Sequence, residues 1–359
     1  MDLINLCKYL DSSGVTYKRD YLIKYNTHLK AGGKVELYIF PSCLKHLEST
    51  LVYLKRRSCP FKVVGGTTNT MFFDELYYGI VINTRNVDFF SCEGDVFTVD
   101  CGYSTQEFVR SALVAGCGGI EGLEGIPGTV GGAIFMNAAA YGYSISDYIE
   151  NVRCMDNYGT VMNLNKEDCR FSYRHSTFKD NPSLTILSAT FRLPKVDKEL
   201  SEKKIEAFHI ARHSYQEFVY PTLGSLFSTP RDIYAEVIGR DKIALAVLFL
   251  LKLVLKNPIA KRIRKYPSLR VFNNYILTRG FLRRVEQPIS KKTLNTMINS
   301  VDSSTQAKLE FSQAIRDRIG EDILIENEFV VWPLKESCEA NDEFLKKIAP
   351  YSSILKWKG

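Results

Sequence analysis

The chain has 359 residues, of which 45% are hydrophobic and 24% charged, which predicts an ordinary globular protein with more than one hydrophobic core. Its nine cysteines form no C-x-x-C pair, and its five histidines do not cluster with cysteines or carboxylates. This pattern excludes a disulfide framework, argues against a metal site and favours reduced thiols in a cytoplasmic protein. The net charge of +7 is local, because the segment from Lys256 to Arg284 holds nine lysines and arginines and no acid.

Hydrophobic periodicity predicts a mixture of helices and strands, and therefore an α+β chain. In chain order we predict a helix at 2–13, strand 35–40, helix 44–57, strands 61–64, 80–83 and 96–101, helix 105–115, strands 134–137, 152–156 and 187–192, helices 198–216 and 303–319, and a strand at 323–333.

The stretch EGLEGIPGTVGGAIFMNAAAYG, residues 121–142, holds six glycines. Each glycine costs roughly 1 kcal/mol relative to alanine inside a helix, and glycines weaken strands as well. Such a run suits a backbone that must approach something flat or anionic with bare N–H groups. A second run, VVGGTTNTMFFD at 63–74, follows a predicted strand. Together the runs indicate a cofactor with a pyrophosphate and a ring, and the alternative is a glycine-rich packing corner between sheets.

Three further motifs carry polar side chains. In CRFSYRHSTFKD (169–180), Arg174 can hold a carboxylate through two parallel hydrogen bonds, although a solvated loop is the alternative. In YPTLGSLFSTP (220–230), Gly224 frees the backbone beside Ser225, and the absence of a G-x-S-x-G elbow argues against a serine hydrolase. In IENEFVV (325–331), Glu326 and Glu328 are predicted to share one strand face, where paired acids usually meet solvent.

In this order the motifs resemble the UDP-N-acetylenolpyruvoylglucosamine reductase family. The resemblance covers most of residues 20–335 and is carried by NTHLKAGG, VVGGTTNT, GLEGIPGTVGGAIFMNAAAYG, FSYRHSTFK, LGSLFSTP, SKKTLNTMIN and IENEFVV. It implies an α+β fold of the vanillyl-alcohol-oxidase type, with a PCMH-type FAD-binding domain of two α+β subdomains and a smaller α+β substrate-binding domain. We therefore predict FAD-binding subdomains at 1–84 and 85–200, a substrate-binding domain at 201–320 with an atypical apolar and basic insert near 240–285, and a C-terminal strand and tail at 321–359 that return to the flavin site.

The resemblance also implies which residues act. Arg174 matches the catalytic arginine of the family, Ser225 its proton donor and Glu328 its catalytic glutamate. Tyr173 and Asn295 are expected to bind the substrate. The residues expected to contact FAD are Val64, Gly65, Gly66, Thr67, Thr68, Asn69, Gly125, Ile126, Pro127, Gly128, Thr129, Gly131, Gly132 and Ala133.

The implied activity is the reduction of a UDP-N-acetylglucosamine enolpyruvyl ether to UDP-N-acetylmuramate, a peptidoglycan precursor. NADPH would reduce noncovalently bound FAD, which would then reduce the nucleotide-sugar substrate. One alternative is a divergent FAD oxidoreductase of the same fold that acts on another sugar nucleotide or a lipid-linked glycan at a membrane surface. Another is a non-enzymatic protein that kept the fold, which the presence of all three catalytic residue types disfavours. Thr293 stands where the family usually has histidine, so the substrate side departs more than the cofactor side.

The insert begins with an apolar stretch at 243–255 that only Lys252 interrupts. A helix of this length spans about 20 Å, which is short of the ~30 Å bilayer core, so we expect no transmembrane helix. A buried or interface helix is one interpretation. Contact with a membrane surface through 242–270 is another, because the basic cluster KRIRK follows. We expect no nucleic-acid partner, and we expect a cytoplasmic protein, with peripheral contact at the inner face of the membrane as the alternative.

Overall fold

The computed structural model describes residues 3–213, 216–228, 288–290, 293–300, 303–320 and 323–355, together with five positions between 243 and 253. The described helices are α1 (Leu3–Ser12), α2 (Leu44–Arg56), α3 (Thr105–Val114), α4 (Val130–Met136), α5 (Thr177–Asp180), α6 (Lys198–His213), α7 (Thr305–Ile319), α8 (Glu339–Ile348) and α9 (Ser352–Leu355). The described strands are β1 (Thr16–Leu22), β2 (Lys34–Phe40), β3 (Phe61–Val64), β4 (Thr70–Phe72), β5 (Tyr77–Asn83), β6 (Phe90–Glu93), β7 (Val96–Asp100), β8 (Ala139–Ala140), β9 (Tyr143–Ser144), β10 (Ile149–Met155), β11 (Val161–Asn165), β12 (Thr185–Arg192), β13 (Phe227–Ser228), β14 (Leu324–Ile325) and β15 (Glu328–Val330).

The first sheet has the strand order β1-β2-β5-β3. Strands β2 and β3 both pair in parallel with β5, and α2 forms the crossover between them, whereas β1 pairs antiparallel with β2 at the edge. Apolar residues cover both faces of β5, since Ile80 and Ile82 pack into one hydrophobic core and Val81 into another. The short β3, an edge strand that pairs with β5, ends at the first glycine loop and fixes the start of this loop.

The second sheet is antiparallel throughout, with the order β11-β10-β12-β7-β6. Helix α3 covers one face of it through Phe108, whose ring centroid lies 4.7 Å from that of Phe191 and 6.1 Å from that of Phe97. This helix begins at Ser104, whose hydroxyl accepts a hydrogen bond from the Glu107 N–H, a standard N-terminal cap. The helix and sheet together place the second glycine run at the edge of this core.

The end of the chain returns to the first glycine loop. Strand β15 pairs in parallel with β4, which directly follows that loop, and β14 pairs antiparallel with β13. Helix α7 buries Leu309, Phe311 and Ile315 in the second hydrophobic core, which also holds the apolar residues of β4. This arrangement brings the IENEFVV motif beside Asn69 of the first glycine loop, which lies about 250 positions earlier in the sequence.

The predicted strand at 134–137 is wrong, because the structure has helix α4 there. Thr129 caps the helix by accepting a hydrogen bond from the Gly132 N–H at 3.3 Å. Gly131 fits only without a side chain, since a Cβ there would lie 2.8 Å from the Cβ of Cys101. The helix ends at Asn137, which has a left-handed φ of 44°. Glycine is tolerated here because close packing against β7 compensates for its low helix propensity.

The predicted continuous strand at 323–333 is also wrong. The structure divides it into β14 and β15, which pair with different partners, and Glu326 and Asn327 form the link between them. Glu326 is 9% exposed, so this acid does not belong to a solvent face. Sequence periodicity cannot detect such a change of partner, because both short segments remain extended and apolar.

Several short or polar strands were not predicted from the sequence. Strand β1 has the sequence TYKRDYL, in which charged residues conceal the alternation that edge strands normally show. The remaining predicted helices and strands are present with shifts of a few residues at their ends, and the predicted helix at 198–216 is described as α6 up to His213. The division of the chain into domains at 84, 200 and 320 stays a prediction.

The apolar and basic insert falls mostly outside the described residues. The five positions that are described, Ile243, Ala246, Phe249, Leu250 and Leu253, are all helical and exposed. Within the described part of the chain, no helix is long and apolar enough to cross a membrane.

Candidate active site

A cavity of about 1310 Å³ lies where the two glycine loops, the arginine motif and the end of the chain meet. This volume exceeds the ~300–1,000 Å³ of a site for a single small molecule, so it can hold a large cofactor together with a substrate. Arg174, Ser225, Glu328 and Asn295 all line it, whereas Tyr173 lies outside its wall. The wall also includes every residue expected to contact FAD: Val64, Gly65, Gly66, Thr67, Thr68, Asn69, Gly125, Ile126, Pro127, Gly128, Thr129, Gly131, Gly132 and Ala133.

The two glycine loops pack directly against each other. A Cβ at Gly65 would lie 2.2 Å from Thr129 Oγ1, and a Cβ at Gly66 would lie 2.9 Å from the Cα of Gly128. The hydroxyl of Thr68 donates to the carbonyl of Pro127 at 2.9 Å, which ties the loops together. These glycines therefore serve loop-to-loop packing and also form part of the cavity wall, and the contact of their backbone with a cofactor stays a prediction.

The first loop is held in an unusual backbone conformation at Thr67. Its φ of 54° is left-handed, which costs an ordinary residue roughly 1–2 kcal/mol. Thr67 Oγ1 donates to the carbonyl of Gly66 at 2.7 Å and accepts from the His28 N–H at 2.8 Å, and these bonds compensate for the strain. The NTHLKAGG motif, which sequence reasoning left without a role, thus supports the loop.

His28 also lines the cavity and was missed as a site residue. Desolvation, followed by the positive charges of Arg85 and Lys30, lowers the pKa of its imidazole below the usual 6.5. The ring is therefore neutral at neutral pH and offers one donor and one acceptor to the cavity. The position of this histidine inside a motif that carries the family resemblance was the available signal.

Arg174 occupies the third position of a tight turn. Ser172 and His175 exchange two backbone hydrogen bonds of 3.1 Å across it, and Arg174 has a φ of 53°. A turn of this kind normally places glycine or asparagine at that position, so the arginine is held there against local preference. Its carbonyl accepts from Lys179 Nζ at 3.1 Å. Its guanidinium donates from Nε to Glu326 Oε2 at 3.0 Å, and from Nη1 to a backbone carbonyl at 3.4 Å.

This arginine turn is fastened to the end of α4. The side-chain amide of Asn137 donates to the carbonyl of Ser172 at 2.8 Å. The buried hydroxyl of Ser176 donates to the carbonyl of Phe135 at 2.7 Å and thereby satisfies one of the free carbonyls at the helix end. The helix that begins in the second glycine run therefore fixes the position of Arg174.

Ser225 and Glu328 lie on adjacent backbone segments joined by Asn327. The amide nitrogen of Asn327 donates to the carbonyls of Leu223 at 3.2 Å and Ser225 at 3.1 Å, and to Asn69 Oδ1 at 2.8 Å. The Glu328 N–H donates to the carbonyl of Asn69 at 2.9 Å. Ser225 is exposed to the cavity and Glu328 is half-buried, so their side chains are available to a ligand while their backbones are fixed.

The two predicted substrate residues make protein contacts of their own. The Tyr173 hydroxyl lies 2.8 Å from Ser228 Oγ and 3.1 Å from Glu326 Oε1. The Asn295 amide accepts from the Phe227 N–H and donates to the Phe227 carbonyl, both at 2.8 Å, which imitates a strand pairing. Asn295 therefore holds the segment that contains Ser225, and a direct contact with substrate stays a prediction for both residues.

Arg212, at the end of α6, was not found by sequence reasoning. It is 6% exposed and donates from Nη1 to the carbonyl of Gly125 and from Nη2 to that of Gly122 at 3.4 Å. Its guanidinium lies 5.4 Å from the ring centroid of Tyr141. Its Nε is buried without a hydrogen-bond partner in the described part of the protein, and the residue lines the cavity. A spare cationic donor on a wall of bare glycine backbone fits an anionic, pyrophosphate-containing cofactor such as FAD.

Two further side chains attach α6 and α3 to the same run. Arg110 Nε donates to Glu124 Oε1 at 2.9 Å, and His209 contacts the other oxygen of this buried carboxylate. Burial raises the pKa of Glu124, but the hydrogen bonds from His209 and Arg110 outweigh it and lower the pKa below 4.5. The carboxylate is therefore ionised at neutral pH and holds the run between two helices.

Comparisons with known proteins show an FAD-binding domain and related reductases. Residues 35–165 match the family model of an FAD binding domain. A UDP-N-acetylenolpyruvoylglucosamine reductase from Caldicellulosiruptor bescii is 36% identical over 235 residues, which are 65% of this chain and 74% of the relative. A reductase of the same name from Shouchella clausii is 32% identical over 241 residues, 66% of this chain and 77% of the relative.

A solved structure shows the same fold. The crystal structure of UDP-N-acetylenolpyruvylglucosamine reductase (MurB) from Thermus caldophilus matches with a TM-score of 0.62 and 22% identity, over 89% of this chain and 99% of the other. The match confirms the predicted α+β fold class with its PCMH-type FAD-binding domain. From these matches and the cavity that the motifs form, the chain belongs to the UDP-N-acetylenolpyruvoylglucosamine reductase family.

Proposed function

We propose that the protein uses FAD and NADPH to reduce a UDP-N-acetylglucosamine enolpyruvyl ether to UDP-N-acetylmuramate, a step of peptidoglycan precursor synthesis. The proposal rests on one observation about the cavity. Arg174, Ser225 and Glu328 come from three separated segments, yet they line the same cavity as both glycine loops. The similarity to reductases of this name supports the substrate class.

When bound, FAD would supply the hydride transfer from NADPH to the substrate that side chains alone cannot perform. The residues that would hold it line the cavity: the two glycine loops, the backbone near Thr129 and the guanidinium of Arg212. The two loops are joined by hydrogen bonds and close packing, so they present a formed surface. Preorganisation of this kind lowers the entropy cost of binding.

Arg174 would stabilise negative charge on the substrate. Addition of hydride to the terminal carbon of an enolpyruvyl group drives charge into the adjacent carboxylate as an enolate. A guanidinium with a fixed orientation in a half-buried site stabilises such charge better than water does. Arg174 is held at Nε, Nη1 and its carbonyl, so little reorganisation is needed when the charge develops.

Ser225 would deliver the proton that completes the reduction. Gly224 beside it has a φ of 70°, which sets the turn that exposes the serine hydroxyl to the cavity. The proton would go to the carbon next to the carboxylate. Glu328, half-buried on the same wall, would orient or share a proton with the enolic form.

The two half-reactions test this proposal separately. The purified protein is expected to be yellow, and anaerobic NADPH is expected to bleach it. UDP-N-acetylglucosamine enolpyruvate should then restore the colour. Bleaching without restoration would instead favour an FAD oxidoreductase with another sugar-nucleotide or glycan substrate, for which the named relatives provide no support.

A contact with the membrane surface is the second part of the proposal. Ile243, Phe249, Leu250 and Leu253 are 78%, 63%, 59% and 58% exposed, and their spacing places them along one helical face. Exposure of these side chains disfavours a helix buried within the chain. Nine basic residues follow between positions 256 and 284. An exposed apolar face beside a basic segment matches a helix that lies on an anionic bilayer, and would place the enzyme at the inner face of the membrane.

Sedimentation with vesicles tests the contact. The full-length protein should pellet with vesicles that contain phosphatidylglycerol and stay in the supernatant with pure phosphatidylcholine. Phe249→Asp together with Leu253→Asp should abolish pelleting, while Val114→Asp, at a still more exposed apolar position on α3, should not. Equal pelleting of the double variant and the wild type would refute the contact.

A further inference from the structure

Glu326 is the acid of the IENEFVV motif to which the resemblance assigns no role. Its side chain is 10% exposed, and both carboxylate oxygens face the arginine turn. Oε2 accepts from Arg174 Nε at 3.0 Å, and Oε1 lies 3.1 Å from the Tyr173 hydroxyl. Two consecutive residues of the turn therefore bind the two oxygens of one carboxylate.

The backbone of Glu326 is fixed as firmly as its side chain. Its N–H donates to the carbonyl of Leu226 at 2.8 Å, and its carbonyl accepts from the Asn69 amide at 2.8 Å. Leu226 follows Ser225, and Asn69 belongs to the first glycine loop. This one residue therefore joins the arginine turn, the serine segment and the glycine loop.

The contact with Glu326 is the strongest that the Arg174 guanidinium makes with the described residues. Its other hydrogen bond runs from Nη1 to the neutral carbonyl of Ala139 at 3.4 Å, and the guanidinium also lies 5.4 Å from the ring centroid of Tyr173. A charge-assisted bond at 3.0 Å defines the plane of a guanidinium more firmly than a long neutral one. The Nε contact occupies one edge of the guanidinium and leaves other N–H donors for a second carboxylate.

We propose that Glu326 is a positioning residue for Arg174. It sets the orientation in which the arginine meets the substrate carboxylate, and Tyr173 supports it by binding the other oxygen. Glu326 would not touch the reacting atoms and would act only through the arginine. The inference rests on the proposed function, because it assumes that Arg174 stabilises charge on the substrate.

The experiment compares Glu326→Gln with the wild-type holoenzyme in both half-reactions by anaerobic stopped flow. Bleaching by NADPH should stay within twofold, and restoration of the colour by the enolpyruvyl substrate should slow about 100-fold, the cost expected for a small misplacement of a catalytic group. Glu48→Gln is the matched control, because Glu48 pairs with Arg153 in a half-buried ion pair on α2 and β10. Both of its rates should stay within twofold of the wild type.

A double-mutant cycle separates positioning from a general structural effect. If Glu326 acts through the arginine, Arg174→Lys with Glu326→Gln should restore the colour no more than threefold slower than Arg174→Lys alone. The proposal would be overturned if the double variant restored the colour more slowly by the product of the two single-variant factors. It would also be overturned if Glu326→Gln restored the colour at the wild-type rate. If Glu326→Gln does not fold, Tyr173→Phe is used in its place. We expect this variant to restore the colour several-fold more slowly than the wild type, and restoration at the wild-type rate would contradict the proposal. A wild-type enzyme that bleaches but does not restore colour would refute the proposed function itself.

Discussion

The side-chain amide of Asn137 donates to the carbonyl of Ser172 at 2.8 Å, across 35 positions of sequence. It joins the C-terminal end of the helix that starts in the second glycine run to the turn that carries Arg174. This hydrogen bond ties the part of the cavity wall that the second glycine run forms to the turn that carries Arg174. The unusual φ of 44° at Asn137 directs its side chain for this contact.

We expect Asn137→Ala to lower the free energy of unfolding by about 2 kcal/mol. About 1 kcal/mol comes from the lost hydrogen bonds with the Ser172 carbonyl and the Ser144 hydroxyl, and about 1 kcal/mol from a left-handed φ that alanine tolerates poorly. Asn137→Gly keeps the φ without strain, so it should cost only about half as much. Urea unfolding of the three proteins measures the difference, and equal losses for alanine and glycine would show that strain plays no part.

Ser225→Ala should leave the reduction of the flavin by NADPH unchanged. It should slow the restoration of colour by the enolpyruvyl substrate by roughly 10²–10⁴-fold, because it removes a general acid. Stopped-flow absorbance of the flavin reports both steps. Equal slowing of the two steps would count against proton donation by this hydroxyl.

Arg212→Met should weaken FAD binding by about tenfold or more. The change removes charge-assisted hydrogen bonds to the carbonyls of Gly122 and Gly125, each worth about 1.5–3 kcal/mol, and loosens the glycine run. Arg192→Met is the control, since Arg192 pairs with Asp95 and Glu150 on the exposed side of β12. Fluorescence titration of the apoprotein with FAD gives both affinities. If the Arg212→Met protein binds FAD as tightly as the control, Arg212 does not contribute to FAD binding.

Because of Asp100, the free energy of unfolding should decrease as the pH rises. Burial, with a smaller contribution from the nearby Glu48, raises the pKa of this carboxyl from 3.8 to about 6, against the opposing charge of Arg153. The folded protein therefore binds the proton more tightly than the unfolded chain. This stabilisation is complete below about pH 3.8 and lost above about pH 6, a change of up to ~3 kcal/mol.

Asp100→Asn removes this titration. The stability of the wild type relative to Asp100→Asn should decrease between pH 4 and pH 6.5, as measured by urea unfolding at each pH. A constant difference across this range would show that the folded and unfolded pKa values of Asp100 are alike.

The sequence predicted the α+β class, most of the helices and strands and the segments that line the cavity. It succeeded where a feature is local, such as the apolar strand β5 or a glycine loop directly after β3. It failed where tertiary packing decides. Helix α4 exists because Gly131 packs closely on Cys101, and the break at Glu326 exists because β14 and β15 pair with different strands. The roles of Glu326 and Arg212 depend on contacts across 152 and 87 positions, which no local pattern contains.

A single turnover tests the central claim most directly. The protein with bound FAD is reduced by one equivalent of NADPH under anaerobic conditions and then mixed with UDP-N-acetylglucosamine enolpyruvate, and both the flavin absorbance and the product are measured. We expect one UDP-N-acetylmuramate for each flavin that regains its colour. A flavin that stays reduced, or regains its colour without forming this product, would contradict the account.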